Sequence, residues 1–169
     1  MNKAIRDILD KIEQGTGKER ERAILEIALI IEMNTLTLPE QTRIGRYELS
    51  LPWNFLFIRL DFHEQVEIAK KLSQIFIESD DILHGILWAL GKTDRGVGLY
   101  PLTNIIFSRS EDFDTQGYHQ AFLSLDNCLS HFDETELESY SILEDERIKG
   151  FIEKCHNLSD LERFQFPSP

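Results

Sequence analysis

The stretch His84-Gly85-Ile86-Leu87-Trp88-Ala89-Leu90-Gly91-Lys92, followed by Thr93, concentrates residue types that could do chemistry. Gly91-Lys92-Thr93 matches the end of a phosphate-binding loop, G-x-x-x-x-G-K-[ST], in which backbone N–H groups cradle phosphate and the lysine reaches it. The spacing fails, because five residues, Ile86 to Leu90, separate the two glycines where the loop has four. Those five are also apolar, so the stretch reads as a buried helix and not as a Gly-rich loop. Nucleotide binding is not expected.

Sulfur and imidazole ligands suit zinc, and Cys128-x-x-His131 with Cys155-His156 offers four of them. Adjacent Cys155 and His156 point to different faces of a helix, however, and both cysteines fall on apolar stripes. They read as core thiols. A cysteine nucleophile needs an electropositive setting, and this half of the chain is acidic. His84 reads as a core or rim histidine, and Trp53 and Trp88 as core. No His-Glu-x-x-His pattern or nucleophile elbow is present. No cofactor, metal site or catalytic residue is expected.

The elements that would position any site are helical. In 169 residues the apolar fraction is 41% and the charged fraction 28%, ordinary for one globular domain with a sizeable core. Ile5, Ile8, Leu9 and Ile12 recur at helical spacing behind Asn2, a natural N-cap. Gly15-Thr16-Gly17 breaks the chain, with glycine suited to a left-handed cap. Lys18 to Met33 carries a wide apolar stripe. Asp61 and Glu64 have capping-box spacing ahead of a helix to Glu78. Ser79-Asp80-Asp81 is read as the cap of a helix from Ile82 to Leu90 that Gly91 ends. Leu99 to Phe107 is a short helix with Pro101 in its first turn, 108–114 a polar loop, and Asp114 or Thr115 the cap of the next helix. Residues 34–52 read as a long connection and Trp53 to Ile58 as a short buried helix, with a strand as the alternative. Two short helices are expected near Leu137–Leu143 and Ile148–Cys155, with a last turn over 158–164. The chain is read as a single helical domain over 1–166 with a short tail at 167–169.

A shift of 35 residues lays Ile86-Leu87-Trp88-Ala89-Leu90-Gly91 on Ala121-Phe122-Leu123-Ser124-Leu125-Asp126. Paired helices at this period stack, because one pair cannot bury its own apolar face. Here the chain resembles the HEAT-repeat family of α-solenoids. The second helix of such repeats commonly follows an Asp, starts with Val or Ile and ends in Ala-Leu-Gly, as do Asp81, Ile82 and Ala89-Leu90-Gly91. Gly98-Leu99-Tyr100-Pro101-Leu102 looks like the proline-bearing start of the next repeat. The pattern departs at Leu83, where a basic residue is common, and in the second copy at Gly117 and Asp126. The resemblance covers about 79–128 and implies an all-α fold of antiparallel helix pairs stacked as a short HEAT-like solenoid, a binding scaffold without catalytic residues. An irregular helical bundle is the alternative.

Charge narrows the partner. The net charge is −12. Residues 1–60 hold nine Lys/Arg and nine Asp/Glu, whereas 61–169 hold nine against twenty-one. Such a surface repels phosphate backbones, so nucleic acid is not an expected partner, and a basic protein is. No apolar run is long enough to span a membrane, no signal peptide is evident at the N-terminus, and two free cysteines suit a reducing cytosol. The sequence therefore reads as a non-enzymatic cytosolic protein-interaction module with an acidic surface, an immunity- or antitoxin-like inhibitor being one specific form. A helical-groove enzyme or lyase-like chaperone is the rival. The candidate partner surface is Arg95, Arg109, Glu111, Asp112, Asp114, Asp133, Glu134, Glu136, Glu138, Glu144, Asp145 and Glu146.

Overall fold

A computed structural model describes residues 1–35, 58–130, 132 and 145–165, without the side chains of Arg95 and 159–165. The expected connection over 36–52, the short helix at Trp53–Phe57, the helix near Leu137–Leu143 and the tail at 167–169 lie outside the described residues. So do Asp133, Glu134, Glu136, Glu138, Glu144 and His131. Among the described residues every regular element is helical: α1 (Lys3–Gln14), α2 (Gly17–Thr35), α3 (Phe62–Glu78), α4 (His84–Gly91), α5 (Leu99–Arg109), α6 (Thr115–Leu129) and α7 (Glu146–Gln165), with 3-10 turns at Asp94–Gly96 and Ser110–Asp112. None of these helices is long and apolar enough to cross a membrane.

Side-chain caps set the starts of α1, α3 and α6. Asn2 accepts from the Ala4 N–H at 2.9 Å. Asp61 and Glu64 close a reciprocal capping box, with the Glu64 N–H donating to Asp61 Oδ1 at 2.8 Å. Asp114 caps α6 by accepting from the Gly117 N–H at 2.6 Å. Helix α4 differs from expectation. Asp81 does not cap it, because its carboxylate faces Arg20 Nη1 at 3.4 Å. Leu83 takes a non-helical backbone (φ −88°, ψ 73°), so the helix begins two residues late and has no side-chain cap. The left-handed residue near the first break is Gly17 (φ 52°), not Gly15, whose backbone is extended. The expected loop at 108–114 is shorter, since α5 runs on to Arg109. The elements expected at 148–155 and 158–164 are one continuous helix, α7.

Helix packing falls into two rows. Helix α4 packs against both α2 and α6, while α3 packs against α1 and α5, and α5 against α7. Contacts between α1 and α2, and between successive helices from α3 to α7, join the rows, most extensively α1 with α2. The two-residue link between α1 and α2 turns the chain back on itself. Buried residues from all seven helices form one cluster. Ile5, Ile12, Ile27, Ile31, Leu87 and Leu90 are among its fully buried members. At about 25 cal/mol per Å² of apolar surface removed from water, such burial is the main favourable term in folding. The aromatic rings of Phe76, Phe113, Tyr118 and Phe151 stack or meet edge-on at centroid distances of 5.6–6.5 Å, tying α3 and α6 to α7.

Polar ties fix the helix ends. Asn34 Nδ2 donates to the Ile30 and Ile58 carbonyls at 2.7 and 3.0 Å, and its Oδ1 accepts from the Leu60 N–H at 2.9 Å. One side chain thus holds the chain on both sides of residues 36–57. Lys92 Nζ meets Glu32 Oε1 at 2.7 Å and joins the end of α4 to α2.

Candidate interaction groove

Helices α3 and α5 leave an open groove of about 580 Å³ between them. Its apolar walls are Phe62, Val66 and Ile77 from α3, and Val97, Tyr100 and Pro101 from the start of α5 and the turn before it. Phe62 is 59% exposed and Tyr100 66%, the two most exposed large apolar side chains among the described residues. Single exposed apolar residues are ordinary, but these two border one apolar depression.

The groove follows from the way α3 meets its neighbours. Ile68, Ala69, Leu72, Ile75 and Phe76 fill the core. Phe62 and Val66 lie four residues apart on another side of the helix, and Lys70 and Gln74 continue that line at the same interval. On the facing wall, Ser73 Oγ donates to the Pro101 carbonyl at 2.9 Å, and the Asp94 N–H donates to Gln65 Oε1 at 3.4 Å. These bonds fix α5 and the turn before it relative to α3. Gly96 has φ 71°, and a Cβ there would run into the Phe132 ring.

The polar groups of the groove are few. Lys70, Gln74, Glu78 and Asn104 line it, and Gln74 Nε2 donates to Glu78 Oε1 at 2.9 Å. Lys70 is exposed and has no hydrogen-bond or ion-pair partner among the described residues. Ser73 is 3% exposed, with its hydroxyl proton committed to Pro101.

The residues singled out from sequence fall into two settings. Arg109, assigned to the partner surface, is a structural clamp. Its Nη1 donates to the Phe76, Ile77 and Ser79 carbonyls at 3.3, 3.2 and 2.6 Å, and its Nε donates to Asp112 at 2.6 Å. Glu111, Asp112, Asp114 and Glu146 are exposed, and Asp145 is half-buried. Several have local partners: Asp114 meets the His84 ring at Nε2, 2.9 Å away, Asp145 pairs with Arg147 at 2.7 Å and Glu146 with Lys149 at 2.8 Å. Hydrogen bonds from His84 and the Gly117 N–H hold the Asp114 carboxyl below the usual carboxylate range. Arg147 holds that of Asp145 at about 2. The backbone of Arg95 lies in the turn before α5.

The chemistry-bearing stretch is structural as well. Lys92 is paired with Glu32, and its ammonium lies 5.6 Å from the Trp88 ring centroid. Thr93 Oγ1 donates to the Leu90 carbonyl at 2.8 Å and accepts from the Gly98 N–H at 2.7 Å. Trp88 is half-buried where the sequence pattern placed it in the core. The Cys128 and Cys155 thiols face the Leu90 and Tyr118 carbonyls at 3.6 and 3.7 Å. Burial pushes Cys128 up to about 12 and Cys155 to about 11. Such thiols are poor nucleophiles and poor metal ligands near neutral pH.

Two other depressions among the described residues are more polar and hold charged side chains. In one, Arg20 faces Asp81 and His84 faces Asp114. In the other, Arg147 and Lys154 lie beside Glu111, with Arg147 stacked 3.6 Å from the Phe107 ring centroid. The α3–α5 groove differs from these in its mostly apolar walls, with Lys70 a cation that has no partner among the described residues. Sequence reasoning missed it because periodicity marks an apolar face without saying which part of that face a neighbour covers. The signal was present: Phe62, Val66 and Ile77 widen the apolar face of α3 beyond what one row of neighbours can cover. No protein-family model, curated protein or solved structure matches the chain.

Proposed function

We propose that this chain is a non-enzymatic protein-interaction module, a HEAT-like stack of helix pairs whose α3–α5 groove receives the apolar face of a helix from a basic protein. The observation that carries the reading is the pairing of Phe62 and Tyr100, both more than half exposed, on the border of one apolar groove of about 580 Å³. Helix-in-groove recognition uses this geometry, with anchors from the guest entering an apolar channel between two host helices. The two rows of helices are consistent with the stacked-pair reading. The charge of −12 supports a basic partner, because a field of one sign steers association with the opposite sign. An immunity- or antitoxin-like inhibitor is one form this function can take. The groove offers little to an enzyme: its serine hydroxyl donates to a backbone carbonyl, and its ionisable side chains are Lys70, Glu78 and Tyr100.

Quantitative affinity capture from host lysate tests the reading, comparing the wild-type chain with the Phe62→Ser/Tyr100→Ser double variant. Expected is a basic protein retained by the wild type, weakened by salt and lost from the double variant, whose circular dichroism and melting stay unchanged. Identical capture by both chains would overturn the groove as the docking site.

A further inference from the structure

The groove is not uniform along its length. Phe62, Val66 and Val97 line one end, where the described lining residues carry no charge, and Lys70 stands next along α3. Gln74 and Glu78 continue the α3 wall beyond it, and Asn104 adds a polar group from α5. Lys70 is the cation of the lining set and has no partner among the described residues, while Glu78, two turns further on, keeps its charge and accepts a hydrogen bond from the neutral Gln74 amide. An exposed ammonium gains little from a surface partner, but a guest covering the groove removes water around it and leaves its charge uncompensated. A guest that brings a carboxylate avoids that penalty.

We infer that the guest helix carries an acidic side chain that meets Lys70, two turns from the apolar anchor that packs against Phe62. This rests on the docking reading above and adds the guest's register to it. Phe62 and Lys70 are eight residues apart on α3, a rise of about 12 Å at 1.5 Å per residue. A guest helix aligned with α3 spans the same distance in about seven or eight residues. Its pattern is therefore an apolar anchor, a second apolar residue one turn on beside Val66 and Val97, and Asp or Glu one turn beyond that. The guest protein is basic as a whole, through residues outside the groove that answer the net −12. The acid at Lys70 is a local exception, and local exceptions of this kind give specificity, because a lysine or arginine placed there meets like charge.

Selection from a display library of helical peptides, with the full chain as bait, tests this directly. Three baits are run in parallel: wild type, Lys70→Glu, and Phe62→Ser/Tyr100→Ser. Expected is enrichment by the wild type of apolar anchors with Asp or Glu two turns away, and replacement of that acid by Lys or Arg on the Lys70→Glu bait. A wild-type-selected peptide should bind the Lys70→Glu chain about three- to tenfold more weakly, the scale of turning an exposed ion pair into a like-charge contact. Anchors enriched without a charge preference, or one that Lys70→Glu leaves unchanged, would overturn the register while leaving groove docking intact. Equal enrichment on all three baits would overturn the docking reading itself. So would concentration-dependent dimerisation in light scattering that the Phe62→Ser/Tyr100→Ser change abolishes, since the occupant would then be a second copy of this chain.

Discussion

Arg109 Nη1 donates to the Ser79 carbonyl at 2.6 Å, across thirty residues of sequence, and the same nitrogen reaches the Phe76 and Ile77 carbonyls. The last carbonyls of a helix have no intrahelical donor. Here the end of α5 supplies one to the end of α3, and the positive charge suits the negative end of that helix. The side chain is only 16% exposed, so these bonds are shielded from water. Arg109→Ala should cost about 2–3 kcal/mol, because it removes a charged donor from the part-buried Ile77 and Ser79 carbonyls, whereas the Phe76 carbonyl keeps the Ser79 N–H. Arg109→Lys should recover only part, since an ammonium lacks the planar fork of donors. Urea unfolding midpoints check both. A loss under about 0.5 kcal/mol for Arg109→Ala, the usual surface value, would return Arg109 to the exposed face assigned from sequence.

Acid sensitivity should centre partly on Asp114. Its carboxyl lies below its ordinary value of 3.8, chiefly through the His84 hydrogen bond and then the Gly117 N–H. A group depressed in the fold stabilises it above the unfolded value, and that contribution disappears as pH falls through the folded value. Asp114→Asn keeps an acceptor for the Gly117 N–H but does not titrate. The wild type should therefore lose more stability than the variant between about pH 5 and about pH 2, with the two converging toward the acid end. Melting temperatures across that range are the measurement, and parallel curves would remove Asp114 from the account.

Trp88 illustrates how far the pattern of one helix can be read. The run Ile82-Leu83 followed by Ile86 to Leu90 says that α4 lies between neighbours, and α2 and α6 do flank it. Ile86, Leu87, Ala89 and Leu90 are fully buried, but Trp88 is not. Truncating a wholly buried aromatic costs about 3–5 kcal/mol, so a half-buried one should cost about 2 kcal/mol. Leu87→Ala should then be the more damaging change, at about 3–4 kcal/mol. Guanidinium midpoints rank the two, and the reverse order would put Trp88 in the core.

Caps, stripes and breaks were legible because they depend on neighbours in sequence. Asn2, the Asp61–Glu64 box and Asp114 perform as their spacing predicts. The features that position the groove depend on which helix faces which, and no local pattern encodes that. Asp81 looked like a cap until Arg20, sixty-one residues earlier, drew it away. Arg109 looked like a surface cation because its carbonyl partners are thirty or more residues distant. The apolar strip on α3 was visible, but its exposure depends on how closely α5 approaches.

Gly91 carries this distinction into an experiment. From sequence it terminates α4. In the fold it is the helix's last residue, and a Cβ built on it would lie 2.8 Å from the Cα, Cβ and Oγ of Ser124 on α6. Glycine is needed there because two helices touch backbone to backbone, not because the chain turns. The two roles predict opposite outcomes for Gly91→Ala. A helical glycine exchanged for alanine gains about 1 kcal/mol when there is room. Against Ser124, whose Cα cannot rotate away, the added methyl forces the helices apart, an overpacking cost of about 1–3 kcal/mol that exceeds the gain. Gly91→Ala should therefore destabilise, by about 1–2 kcal/mol after the propensity gain. Ser124→Gly in the same chain removes the Cβ and Oγ contacts but leaves the Cα, so it should restore part of the loss. A double-mutant cycle in urea measures that coupling. If Gly91→Ala stabilises the chain, the contact between α4 and α6 is looser than 2.8 Å implies and Gly91 serves only as a stop.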